Sequence, residues 1–272
     1  MSEEGPTAPS PSPLGAISLT GLAWGVMVLV TVLATPSTGG TLGIALGTVL
    51  GLGGAGTLGA RAIPAPAEQR IGLTGFPLRL LLPVLLLAPY VLLVSELDNW
   101  IAELFPPPES AASEAEADFA LVGLAAVELV LFLVLLRPVL EEFFFRGVVQ
   151  QGVVAVLGTR RGIVLTALLF AVVRASFGLG DTQRALTLAA QGFLEGLLLG
   201  GLRLASGSIL PGVVLAMGTA GVGLLALATK EALVIPGFND ESAHTPLTWL
   251  VPAALSVGCG LVWLRRSVSG PR

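Results

Sequence analysis

Long apolar runs separated by short polar breaks dominate this chain, and they leave it one kind of solvent. A run of about 20 apolar residues crosses the hydrocarbon of a bilayer as a helix. In hydrocarbon each backbone N–H and C=O must be satisfied internally, and within a single run only a helix does that. Eight runs qualify, near 15–36, 39–60, 79–95, 119–140, 162–178, 187–205, 208–229 and 247–264. The composition agrees: 12% of the 272 residues are charged, against about 25% in a soluble domain. The expected fold is an all-α, polytopic membrane helix bundle of about eight transmembrane helices.

Arginine placement gives this bundle an orientation. Arg61, Arg70 and Arg79 lie between the second and third runs. Arg160 and Arg161 follow the fourth, Arg203 ends the sixth, and Arg265, Arg266 and Arg272 follow the eighth. Eight alternating spans put all of these on one side, which the positive-inside rule makes cytoplasmic. The stretch from Glu96 to Asp118 holds seven acids (Glu96, Asp98, Glu103, Glu109, Glu114, Glu116, Asp118) and no base. It is expected outside, with both termini in the cytoplasm. The chain divides into a disordered tail (1–14), N-terminal transmembrane helices with the acidic external loop (15–118), a transmembrane core (119–230), and an external loop with the last span (231–272). The tail is acidic and rich in Pro and Ser, without the basic start of a signal peptide, so the first run is expected to stay in the membrane.

Other function classes fall away on simple counts. Cys259 is the single cysteine, so there is no disulfide within the chain and no Cys-based metal site. A net charge of −4 argues against nucleic acid as a partner. Gly43, Gly47 and Gly51 repeat every four residues, as do Gly192, Gly196 and Gly200. No Gly-Lys-Ser/Thr follows either stripe, so these are close-packing faces rather than phosphate loops. No cofactor or metal is expected.

Charges within the runs carry the information about function. A charge at membrane depth is expensive and is kept for a reason. Glu141, Glu142 and Arg146 close the fourth run, Glu128 lies deep inside it, and Arg174 and Glu195 lie inside the fifth and sixth. On a helix, Arg137 faces Glu141 and Glu142 faces Arg146, four residues apart. Two salt bridges are the plain reading of that pattern.

The stretch Pro138-Val-Leu-Glu-Glu-Phe-Phe-Phe-Arg-Gly147 resembles the first motif, Glu-Glu-x-x-x-Arg, of the CPBP family. That family groups type II CAAX prenyl endopeptidases with bacteriocin-processing and immunity proteins. Its second motif is Phe-x-x-x-His; Thr166-Ala-Leu-Leu-Phe-Ala-Val-Val-Arg174 keeps Phe170 but has Arg174 in place of His. The third is His-x-x-x-Asn or Asp after Gly-Ser-x-x-Pro; Gly207-Ser-Ile-Leu-Pro211 keeps the lead-in, while Ala216 and Ala220 replace His and Asn. The resemblance covers roughly residues 120 to 225.

The resemblance implies a multi-helix membrane protein that handles peptides, with Glu141 as the general base that activates water. It also implies that the machinery is incomplete. Arg174 ties the carboxylate into an ion pair where a His would assist it. Ala216 and Ala220 cannot donate to an oxyanion, and losing one such donor lowers a rate by about two to three orders of magnitude. Glu141, Glu142, Arg146 and Arg174 are then expected as one neutral four-charge cluster. The leading expectation is a catalytically degenerate member in a bacterial inner membrane, which binds a membrane peptide or an active companion protease. The alternatives are an active endopeptidase using Glu141, and a carrier or channel using Glu128, Arg174 and Glu195. His244, the only histidine, is expected in a solvated external loop, and 95–105 as an amphipathic interfacial helix.

Overall fold

A computed structural model of the chain describes residues 9–106, 123–240 and 244–269. Among these residues there is no strand. The helices are α1 (Pro13–Thr38), α2 (Gly40–Arg61), the short α3 (Ala67–Ile71), α4 (Leu78–Leu104), α5 (residues 123–157), α6 (Thr159–Gly178), α7 (Thr182–Ser206), α8 (Leu210–Ala228) and α9 (Leu247–Ser269). Seven of them, α1, α2, α4, α6, α7, α8 and α9, are long and apolar enough to cross a membrane. The chain is a polytopic helical membrane protein. The remaining expected span, 119–140, begins outside the described residues and continues in α5.

Local sequence explains where several helices begin and end. Ser12 caps α1 by accepting from the Gly15 N–H at 3.1 Å, with Pro13 at the first helical position. Asp181 caps α7 in the same way through Arg184 N–H at 3.1 Å. Gly158 adopts φ 78°, a conformation that suits glycine, and ends α5 before α6 turns back along it.

Helix α5 departs from the expectation. The fourth span does not stop at 140; the helix runs through the motif to Leu157, about 50 Å at 1.5 Å per residue. Two of its stretches, Leu131–Leu136 and Glu142–Val149, are wound as π-helix. Pro138 lies between them. It has no N–H to return to the preceding turn, and a widened turn relieves that loss.

The glycine stripes pack as expected. Gly43, Gly47 and Gly51 of α2 lie on Thr35, Thr31 and Met27 of α1, with no room for a Cβ. On α7, a Cβ at Gly196 would come within 2.8 Å of Ala167 on α6. Gly192 lies against Arg174 in the same groove, so the stripe sets how closely that cation's helix approaches α7. The core between α1, α5 and α6 is built from Phe144, Phe145, Phe170, Val149, Val153 and Met27. A second core joins α4, α7, α8 and α9 through Val84, Leu87, Leu199, Leu215 and Leu264.

The 95–105 stretch is not a separate interfacial helix. It is the last third of α4, and the span expected at 79–95 extends to Leu104. Its polar residues find partners within the protein. Asp98 accepts from Thr187 at 2.5 Å and from Gln183 at 3.5 Å. Glu96 accepts from Asn99 and from the Thr245 N–H. Glu96, Asp98 and Glu103 therefore belong to a helix, not to a free acidic loop; Glu109, Glu114, Glu116 and Asp118 lie outside the described residues.

Candidate functional site

The two adjacent glutamates of the motif part company. One residue along a helix turns a side chain by about 100°, and Glu141 and Glu142 face different surroundings. Glu142 points inward, 1% exposed, and meets Arg146, 0% exposed, at 2.9 Å. No N–H of Arg146 is aimed at an acceptor, so this contact is Coulombic rather than a formed hydrogen bond. The Arg146 guanidinium sits 4.4 Å from the centroid of Phe170, within cation–π range. On the other side, the Glu142 carboxylate lies against Gly212 in the first turn of α8, where a Cβ would collide with it. A helix N-terminus favours a negative charge.

Glu141 faces a cavity of about 420 Å³. Its Oε1 accepts from Arg137 Nε at 2.8 Å and lies 3.5 Å from Arg174. Arg174 in turn donates to Glu195 at 3.0 Å. The result is an ion chain, Arg137–Glu141–Arg174–Glu195, neutral overall and partly exposed along the cavity wall. The expected single cluster of Glu141, Glu142, Arg146 and Arg174 is thus two separate groups. Phe170, the retained aromatic of the second motif, stands between them: its ring centroid is 5.3 Å from the Arg174 guanidinium as well.

Glu195 both pairs with Arg174 and lines the cavity. Ala216 and Ala220 line the same cavity, so the substituted positions of the second and third motifs meet around one space. Glu128 is half-buried and outside this set. Among the described residues no three His, Cys, Asp or Glu side chains gather closely enough to hold a metal ion.

Sequence reasoning missed other wall residues. Tyr90, the chain's only tyrosine, lines the cavity together with Glu195 and Thr219. Ser95, Gln191 and Phe238 also line the cavity. They come from α4, α7 and the α8–α9 connection, and no motif links them. A polar residue at an apolar helix position was the available signal for Tyr90 and Ser95. His244 is not freely solvated: its Nδ1 meets Glu96 at 2.8 Å, and its ring lies 4.6 Å from that of Trp100.

A helical polytopic membrane protein with an ion chain along an internal cavity is the class that this geometry defines. Residues 123–222 match the family described as Type II CAAX prenyl endopeptidase Rce1-like. That segment runs from α5 into α8 and includes all three motif frameworks. No curated protein and no solved structure gives a match.

Proposed function

We propose that this protein is a catalytically degenerate member of the family that holds a membrane peptide, or the membrane segment of a companion protease, in the cavity without cutting it. One observation carries the reading: the Glu141 carboxylate is bracketed by two arginines, at 2.8 and 3.5 Å. A base must turn a lone pair to water within hydrogen-bond reach, and here both arginines bear on one oxygen, Oε1, so the carboxylate is held in an ion pair on the side where an assisting His would stand. The cavity wall around it has Ala216 and Ala220 where the family motif has donors. Apolar Val91, Val94, Leu133 and Leu224 form the rest of the wall and suit an apolar segment.

Purified protein in lipid is expected to leave prenylated and membrane-anchor peptides intact, while a photo-crosslinker at Val94 or Leu224 captures them. Turnover that disappears in Glu141→Gln would return the site to the enzymes. The triple change Arg174→His, Ala216→His and Ala220→Asn is expected to gain activity; Arg174→His alone adds little, since it supplies no oxyanion donor. The arginine distribution supports an orientation with both termini in the cytoplasm. In intact cells a cysteine at Leu179 should then label from outside and one at Gln69 should not; labelling of Gln69 would invert the orientation.

A further inference from the structure

The cavity runs from the ion chain toward one end of the bundle. Its wall passes from Glu141 to Leu133 along α5, from Ala216 to Leu224 along α8 and from Tyr90 to Ser95 along α4. Eight residues of helix correspond to about 12 Å. At the far end stands Phe238, in the turn of the α8–α9 connection. That turn is fastened to α4. The Gly237 carbonyl accepts from Asn99 Nδ2 at 2.8 Å and from Ser95 Oγ at 3.2 Å. Gly237 has φ 70°, and a Cβ there would lie 2.5 Å from Thr245 N and the His244 carbonyl carbon. Glu96 draws in the other end, accepting from Thr245 N–H at 2.8 Å and meeting His244 Nδ1 at 2.8 Å. The turn is also rigid in itself, because Asn239 Oδ1 accepts from Ile235 N–H at 2.7 Å.

We infer that the Ile235–Asp240 turn is a latched roof, with Glu96 and Asn99 as its latch, that closes the cavity to water at this end of the bundle. Four polar residues in the last third of an apolar helix, each engaged by another element, are an unusual outlay unless the contact matters. Among the wall residues Gly223 of α8 is exposed, beside half-buried Leu224. Its neighbours Val222 and Leu225 are exposed and apolar, so entry beside Gly223 would be a lipid-side route, separate from the end that the roof covers. The inference deepens the reading of the cavity as a peptide-holding site, by specifying how access to it is controlled.

The test needs no peptide. In protein carrying Cys259→Ser and Ala220→Cys, reconstituted in nanodiscs, the thiol is offered a charged maleimide and a small lipophilic one. The roofed cavity reacts slowly with the charged reagent and readily with the lipophilic one. Adding Glu96→Ala with Asn99→Ala removes hydrogen bonds to the roof and should raise the charged-reagent rate about tenfold or more, with the lipophilic rate unchanged. Phe238→Ala, which leaves the latch intact, should do the same and covers the case in which the latch variant fails to fold. A charged reagent that is already as fast as the lipophilic one in the parent, or is unaffected by both changes, overturns the roof. That failure leaves peptide binding standing, and a failed peptide crosslink leaves the roof standing.

Discussion

Two ion-paired groups start from adjacent glutamates of the same helix, Glu141 and Glu142, and they are different kinds of object. Glu142–Arg146 is sealed, at 1% and 0% exposure, with the guanidinium against Phe145 and Phe170. Arg137–Glu141–Arg174–Glu195 lies along a cavity, and its two inner members, Glu141 and Arg174, have two partners each. A dry pair is bound by the desolvation that removing either member would leave uncompensated. A chain with a second partner at each inner charge, bordered by open space, can rearrange around a loss. The first group therefore holds the fold, and the second is available to a ligand.

The largest expected effect comes from breaking the sealed pair. Arg146→Met leaves Glu142 buried without a counter-charge and should cost roughly 3–5 kcal/mol. Glu142→Gln with Arg146→Met should recover most of that, as seen in thermal melts in detergent. Arg174→Ala should cost less, about 1–3 kcal/mol, because it removes charged hydrogen bonds at the edge of a cavity. Recovery sharpens the point: Glu195 is the nearer partner, 3.0 Å against 3.5 Å for Glu141. Arg174→Ala with Glu195→Gln should therefore restore more stability than Arg174→Ala with Glu141→Gln. Additive losses in both pairs would dissolve the chain as described.

Smaller changes separate the regions further. Gly212→Ala pushes a methyl into the Glu142 carboxylate, an overpacking that should cost about 1–3 kcal/mol. Ala220→Ser on the cavity side has space for the hydroxyl, and should stay within about 0.5 kcal/mol. The contrast is read from chemical melts of the two variants; equal losses would mean that the cavity is as tightly packed as the core.

The sequence held more of this than of the site's outline. Apolar runs and glycine stripes are local patterns, and they gave the spans and the α1–α2 and α6–α7 packing. The four-residue spacings gave Arg137–Glu141 and Glu142–Arg146 even though the helix between them is widened. The split of the cluster follows from helical winding alone, yet counting charges joined Glu142 and Arg146 to Arg174 as one group. Phe170 as the divider was visible only as a retained motif residue. What lay beyond the sequence was long-range: Asp98 engaged by Thr187, Glu96 by Thr245, and Tyr90 brought to the same cavity as Glu195. Those contacts turned an apparently amphipathic surface stretch into part of a span. Periodicity reports one face of a helix but not which distant residue will cover it.

The most direct test of the central claim compares melting curves of Glu141→Gln and Glu142→Gln in one detergent. At about 2–4 °C per kcal/mol for a chain of this size, Glu142→Gln should lower Tm by at least about 6 °C. Glu141→Gln keeps an amide oxygen for Arg137 to donate to and leaves Glu195 holding Arg174, so it should lower Tm by no more than about 3 °C. Equal shifts, or a larger one for Glu141→Gln, would contradict the division of the site into a sealed pair and a cavity chain.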